Sequence, residues 1–270
     1  MRSNLNVCPM APTSGRCHTR RALPAVLALV LLASGCTPTL QRPPQPLATS
    51  LQEISPHADG DHFVYVWKQT LDGNAIRAGV QVEHLTALDN GEFEVTLSED
   101  GAVIGYTRFR DDGHALFLLS ETLGRNLRLS YDPPLPEIAT PLYAGETRST
   151  AIATIRALKD DHELDTLKVT QVVQVGAAAP MYSTLAGQQH GVEVHTIRTL
   201  EFPDGPVELT NTTVLVPGIG EVRSTGAATG VASLQRELAC ATISGQHFGN
   251  CRTLRERVEE LERAGSADVQ

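Results

Sequence analysis

The chain has 270 residues, 41% hydrophobic and 4% aromatic, with 22 basic against 31 acidic side chains and a formal charge of −9. That balance disfavours sequence-independent binding to nucleic acid or anionic headgroups, which both need clustered Lys and Arg. A membrane-spanning helix needs ~20 apolar residues; the longest apolar run here, Ala22 to Ala33, is shorter and contains Pro24.

Arg16, Arg20 and Arg21 precede that run, and Ser34, Gly35 and Cys36 follow it. Basic residues, an apolar run and small residues in this order form an export signal. The stretch Leu31 to Cys36, Leu-Leu-Ala-Ser-Gly-Cys, resembles the cleavage box of bacterial lipoproteins, with Ala33 where the pattern most often has Leu. The resemblance implies a signal peptide over 1–35, cleavage before Cys36, and acylation of the Cys36 sulfur and amine with palmitate-type chains. Each buried methylene adds ~0.8 kcal/mol, so several chains together anchor a protein stably to the membrane. The rival reading is an ordinary secretory signal in which Cys36 is incidental. Thr37 follows the cysteine where, in enterobacterial-type sorting, Asp retains a lipoprotein in the inner membrane. The expected address is therefore the outer membrane, facing the periplasm. Met1 and Met10 are both acceptable starts, since either leaves the three arginines ahead of the apolar run.

The segment 1–35 holds four basic residues and no acid, so the remainder carries 18 basic against 31 acidic residues, a formal charge of −13. Cys8 and Cys17 leave with the signal and Cys36 takes lipid, which leaves Cys240 and Cys251. An isolated pair in an oxidising compartment is expected to form a disulfide, the alternatives being free thiols or half of a metal site. Residues 36–56 are rich in Pro, Thr, Ser and Gln and read as a lipidated tether, extended at ~3.1 Å per residue. A β-rich domain is expected over 57–270.

Within it, Asp72-Gly73, Asn90-Gly91, Asp100-Gly101, Asp112-Gly113 and Asp204-Gly205 supply the positive φ angles of tight hairpin turns. Between turns the hydrophobic period is two: Phe93, Val95 and Leu97 alternate with Glu94, Thr96 and Ser98, and Val169, Gln171, Val173 and Val175 with Thr170, Val172 and Gln174. Less regular strands fit His62–Gln69, Val80–Ala87, Ala102–Arg110, Ala115–Leu119, Asn126–Tyr131, Ser149–Leu158, Val192–Phe202, Val207–Val216, Gly220–Thr225 and Ala232–Ile243. About a dozen strands result. Asp132-Pro133-Pro134-Leu135-Pro136 reads either as a sub-boundary or as a point crossed by a continuous sheet. Leu254, Val258 and Leu261 recur at helical spacing in a charged run, so a short C-terminal helix is expected.

No catalytic constellation emerges. On a strand Glu193 and His195 share a face opposite His190, so the three do not converge on a metal. Asp111-Asp112-Gly113-His114 has a sufficient reason in turn geometry. No nucleophile elbow, phosphate loop or dinucleotide fingerprint occurs, and no cofactor is expected.

Val214 to Arg223 contains Pro217-Gly218-Ile219-Gly220, a strand, a tight corner and another strand in a strongly curved sheet. Here the chain resembles the family of outer-membrane lipoprotein carriers, in which a long antiparallel sheet curls into a half-open barrel. The fold expected is mainly β, a curved sheet or half-open barrel of about a dozen strands. The function expected is non-catalytic: an envelope lipoprotein with a binding or scaffold role towards an envelope protein. The alternative is a carrier holding an acyl chain, lipid or lipoprotein against a concave apolar face, with Phe63, Tyr65 and Trp67 as candidate lining residues.

Overall fold

The computed structural model describes residues 45–71, 74–123, 127–159, 162–176, 181–184, 187–228 and 233–254. The signal segment, Cys36 and most of the expected terminal helix lie outside the described residues. The described chain belongs to a compact unit, Pro43–Gln270.

Fifteen described strands run β1 (His62–Leu71), β2 (Asn74–Ala87), β3 (Glu92–Glu99), β4 (Ala102–Asp111), β5 (Ala115–Leu123), β6 (Leu127–Ala139), β7 (Thr147–Lys159) and β8 (His162–Val175). They continue with β9 (Met181–Thr184), β10 (Gly187–His190), β11 (Val192–Phe202), β12 (Gly205–Val216), β13 (Gly220–Ala228), β14 (Ser233–Ile243) and β15 (Gln246–Gly249). Consecutive strands pair antiparallel, β8 pairs with β11 past the small β9–β10 hairpin, and β14 pairs with β1. The curved sheet therefore closes into a twelve-strand barrel rather than remaining half open. Closure runs from His62↔Thr242 to Thr70↔Ser233 and removes the exposed edges that a half-open sheet would leave. β14 manages three neighbours because its first half pairs with β13 and its last residues, Cys240 to Ile243, pair with β15.

Asp72-Gly73 lies outside the described residues, and the other turn dipeptides act as their chemistry requires. Asn90 and Gly91 have φ of 62° and 73°, and Asp100 and Gly101 have 49° and 79°. Asp112 Oδ1 accepts from the amides of His114 and Ala115, closing the β4–β5 turn. Asp132 to Pro136 is a bulge inside β6, not an interruption. The strand pairs with β7 only as far as Asp132 and with β5 again at Leu135, so Pro133 and Pro134 occupy positions where no ladder donor is needed. Gln171 of β8 donates to the Pro136 carbonyl at 2.7 Å, supplying a partner that a neighbouring strand would otherwise provide.

The stretch expected to be tether enters the domain from residue 45 onward. Ser50 caps a single helical turn, α1 (Leu51–Ile54), by accepting from the Glu53 amide. Ala48, Leu51 and Ile54 are buried, and they plug the barrel end where β6 and β12 finish. Backbone bonds pair Leu47 and Ala48 with Leu142, and the Gly218 amide donates to the Glu53 carbonyl. Proline-rich composition hid two apolar anchors spaced three residues apart. Pro217–Ile219 is the expected corner, and Gly218 turns there with φ of 77°.

Cys240 and Cys251 form a disulfide with Cα atoms 5.5 Å apart. It ties β14 to a 3-10 turn, Cys251–Thr253, just after β15.

Candidate functional site

Strand alternation sends one face of every barrel strand inward. Phe93, Val95 and Leu97 point in as expected, with Phe63, Leu85 and Phe109 beside them, around a cavity of about 410 Å³. The candidate trio separates: Phe63 and Tyr65 line the cavity, whereas Trp67 lies beyond it. Its indole fills the space that Gly79 leaves by lacking a side chain, since a Cβ there would sit 3.1 Å from the ring. Arg77 covers the ring's other surroundings at 5.1 Å.

The cavity wall also carries charged side chains. On one side, Arg236 of β14 donates through Nε to Glu221 Oε1 at 2.6 Å and to Ser224 Oγ at 2.9 Å, and through Nη1 to Glu83. Its guanidinium stacks 4.6 Å from the centre of the Tyr65 ring, and the Tyr65 hydroxyl donates to the Glu221 carbonyl. On the other side, Arg198 of β11 donates through Nε to Gln171 Oε1 at 2.7 Å and through Nη2 to Glu137. The Tyr131 hydroxyl donates to Glu121 Oε1. Each cluster thus has one Arg, two Glu and one Tyr.

Burial penalises charge, and here it pushes the Glu83 carboxyl up; Arg236 opposes the shift and Glu221 adds to it. Glu137 is raised in the same way, by burial first, against Arg198 and with Glu121. Burial also works against the Arg236 charge, but Glu221 and Glu83 outweigh it and hold the pKa above the usual guanidinium value. Arg198 is likewise held up by Glu137, Tyr131 and Glu121. Burial beside these carboxylates raises both tyrosines.

At the plugged end His57 stacks on Phe93, ring centres 4.3 Å apart. Its Nε2 faces Asp111 Oδ2 at 3.0 Å and its Nδ1 faces the Ser55 carbonyl at 2.7 Å. Glu193 and His195 lie on the outer face of β11, 3.7 Å apart, with His195 bonded to Thr212. Cys240 and Cys251 are not among the residues that line the cavity.

The two arginines had a legible signal. Arg198 keeps the phase of Val192 and Val194, and Arg236 that of Leu234 and Leu238, so each is a charge on an otherwise inward face. Glu83 and Glu221 had a mixed one. Glu83 shares the phase of Leu85 but not that of Val80 and Val82, and an extra residue, Val222, separates Glu221 from the register of the rest of the β12–β13 pair.

No protein-family model matches the sequence, and no curated protein matches it. Solved structures resemble the fold at low identity. A protein taken to be exported, with a YmcC-like fold, from Bacteroides fragilis is 14% identical over 69% of this chain and 97% of its own, with a TM-score of 0.46. A protein taken to be a lipoprotein from Parabacteroides distasonis is 13% identical over 67% and 94%, with a TM-score of 0.47. The hypothetical lipoprotein YmcC from Escherichia coli is 12% identical over 67% and 84%, with a TM-score of 0.37.

Proposed function

We propose that this is a non-catalytic, lipid-anchored protein of the bacterial outer membrane, facing the periplasm, whose barrel binds a small molecule. The export signal ending at Cys36 supports the address. The observation that carries the binding role is the internal cavity of about 410 Å³, lined by both apolar and charged side chains. Binding pockets for small molecules commonly enclose ~300–1,000 Å³ with a few oriented polar groups in an apolar wall. A scaffold role would leave such an interior unexplained, because a barrel used only for its outer surface is more stable with a filled core. An acyl chain fits the Phe63 to Phe109 belt but would strip water from two Arg–Glu clusters without replacing its hydrogen bonds, a cost that carbon cannot return.

Native mass spectrometry of the full mature protein extracted in mild detergent tests this reading. The expected result is a retained non-polypeptide mass, lost when the cavity is filled by Leu97→Trp or Thr107→Trp. Retention of the same mass by both variants, or copurification of a polypeptide alone, overturns the interior binding role.

A further inference from the structure

The barrel order places the two charge clusters on opposite walls. Glu83 and Arg236 belong to β2 and β14, with Tyr65 on β1 between them and Glu221 on β13; these four strands are contiguous. Glu121, Glu137 and Arg198 belong to β5, β6 and β11, about half a circuit away. The apolar belt of Phe93, Val95, Leu97 and Phe109 on β3 and β4 lies between them on one side, and Thr196, Asn211 and Thr213 line the other. Across both walls four carboxylates face two guanidinium groups, an excess of one acid per wall.

The arginines are already engaged. Arg236 donates to Glu83, Glu221 and Ser224, and Arg198 to Glu137 and Gln171. An incoming anion would have to displace a carboxylate from each. The acids, by contrast, have acceptor capacity left over, since a carboxylate offers about four lone-pair sites. They are also reachable: Glu83, Glu221 and Glu137 keep 16%, 18% and 22% of their side-chain exposure, and this surface faces the cavity. No three His, Cys, Asp or Glu side chains converge to hold a metal ion among the described residues.

Resting on the binding role proposed above, we infer that the ligand is an elongated organic dication, a linear diamine or polyamine. One ammonium group sits at the Glu83–Glu221 wall and the other at the Glu121–Glu137 wall, with methylenes along the apolar belt. Each ammonium donates charge-assisted hydrogen bonds to the acid left uncompensated by the arginine of its wall, and the neutral middle suits the aromatic and aliphatic lining. Burial raises Glu83 and Glu137, so a bound ammonium displaces whatever proton either acid carries. Affinity should then weaken as pH falls, with Arg236, Glu221 and Tyr65 facing Glu83, and Arg198, Glu121 and Tyr131 facing Glu137.

Isothermal titration of the full mature protein in detergent tests this with linear α,ω-diamines from diaminopropane to diaminooctane, hexylamine, and the matching dicarboxylates. An intermediate diamine should bind best, at least about tenfold tighter than hexylamine, the value of one added charge-assisted bond. Glu83→Gln with Glu137→Gln should erase that preference while circular dichroism and cooperative unfolding stay intact. The length optimum in the unmodified protein provides a readout that does not depend on the variant folding. Binding of dicarboxylate, or of hexylamine as tightly as any diamine, with loss in Thr107→Trp, overturns the dication and leaves the cavity role standing. If none of these probes binds, the dication falls; a non-polypeptide mass still retained by the unmodified protein and lost from Thr107→Trp then keeps the cavity role, and absence of that mass removes the cavity role as well.

Discussion

Glu83 and Glu137 are carboxylic acids placed where ionisation is expensive. Their folded pKa values are raised, by burial above all, while in the unfolded chain they titrate at ordinary values. A raised acid contributes stability below its unfolded pKa, and that contribution is lost as pH rises through the folded pKa. Urea unfolding should therefore show a midpoint that falls as pH rises from 4.5, the ordinary carboxyl value, with an unchanged slope. Glu83→Gln with Glu137→Gln should flatten the dependence, and an equally steep profile in that variant would show that other groups set it. The arginines behave oppositely. Arg236→Ala leaves Glu83 and Glu221 facing each other inside the barrel and should cost about 3–5 kcal/mol, the usual penalty for orphaning buried charge. Arg236→Lys should recover only part of this, since an ammonium cannot reproduce the fork that reaches Glu221, Ser224 and Glu83.

The elements that finish the barrel are α1 and the disulfide. Ile54 is fully buried at the plugged end, so Ile54→Ala should destabilise the domain by about 2–5 kcal/mol through lost transfer energy and the void left behind. Were residues 45–56 only a tether, the same change would leave the unfolding midpoint where it was. Cys240 and Cys251, eleven residues apart, close a short loop, worth roughly 3 kcal/mol in the chain-entropy model. The mature protein, denatured without reductant, should take up no thiol-reactive mass tag at these positions and two after reduction. Two tags before reduction would place the chain outside an oxidising compartment.

For the molecule as a whole, the acidic mature chain and the barrel are joined to a proposed anchor at Cys36. Cys36→Ala should abolish palmitate labelling and release the protein from the membrane pellet without changing its unfolding midpoint. Continued labelling and pelleting would remove the anchor and, with it, the argument for the outer membrane. Closure also has a whole-molecule consequence. The long β1–β14 ladder makes the first and last barrel strands mutually dependent, so the chain should fold as one cooperative unit with no stable half ending at Pro136. Coincident fluorescence and circular dichroism transitions would show this, and separated transitions would restore a sub-boundary there.

Strand positions were legible because they rest on local chemistry: a period of two in Phe93 to Leu97 and Val169 to Val175, and Asp-Gly or Asn-Gly turns that require positive φ. The pairing of the last two cysteines was legible from count and compartment. The short pieces were not, since Met181–Thr184, Gly187–His190 and Gln246–Gly249 are too brief to show a period. Nor was the plug, because Leu51 and Ile54 sit in a composition typical of linkers and become core only when the barrel end is present to receive them. Closure itself depends on β14 meeting β1 across some 170 residues, a relation no local pattern encodes. The same holds for the cavity. Whether Glu83 faces solvent or meets Arg236 is set by bringing residues 83, 221 and 236 to one wall, and only the tertiary structure does that.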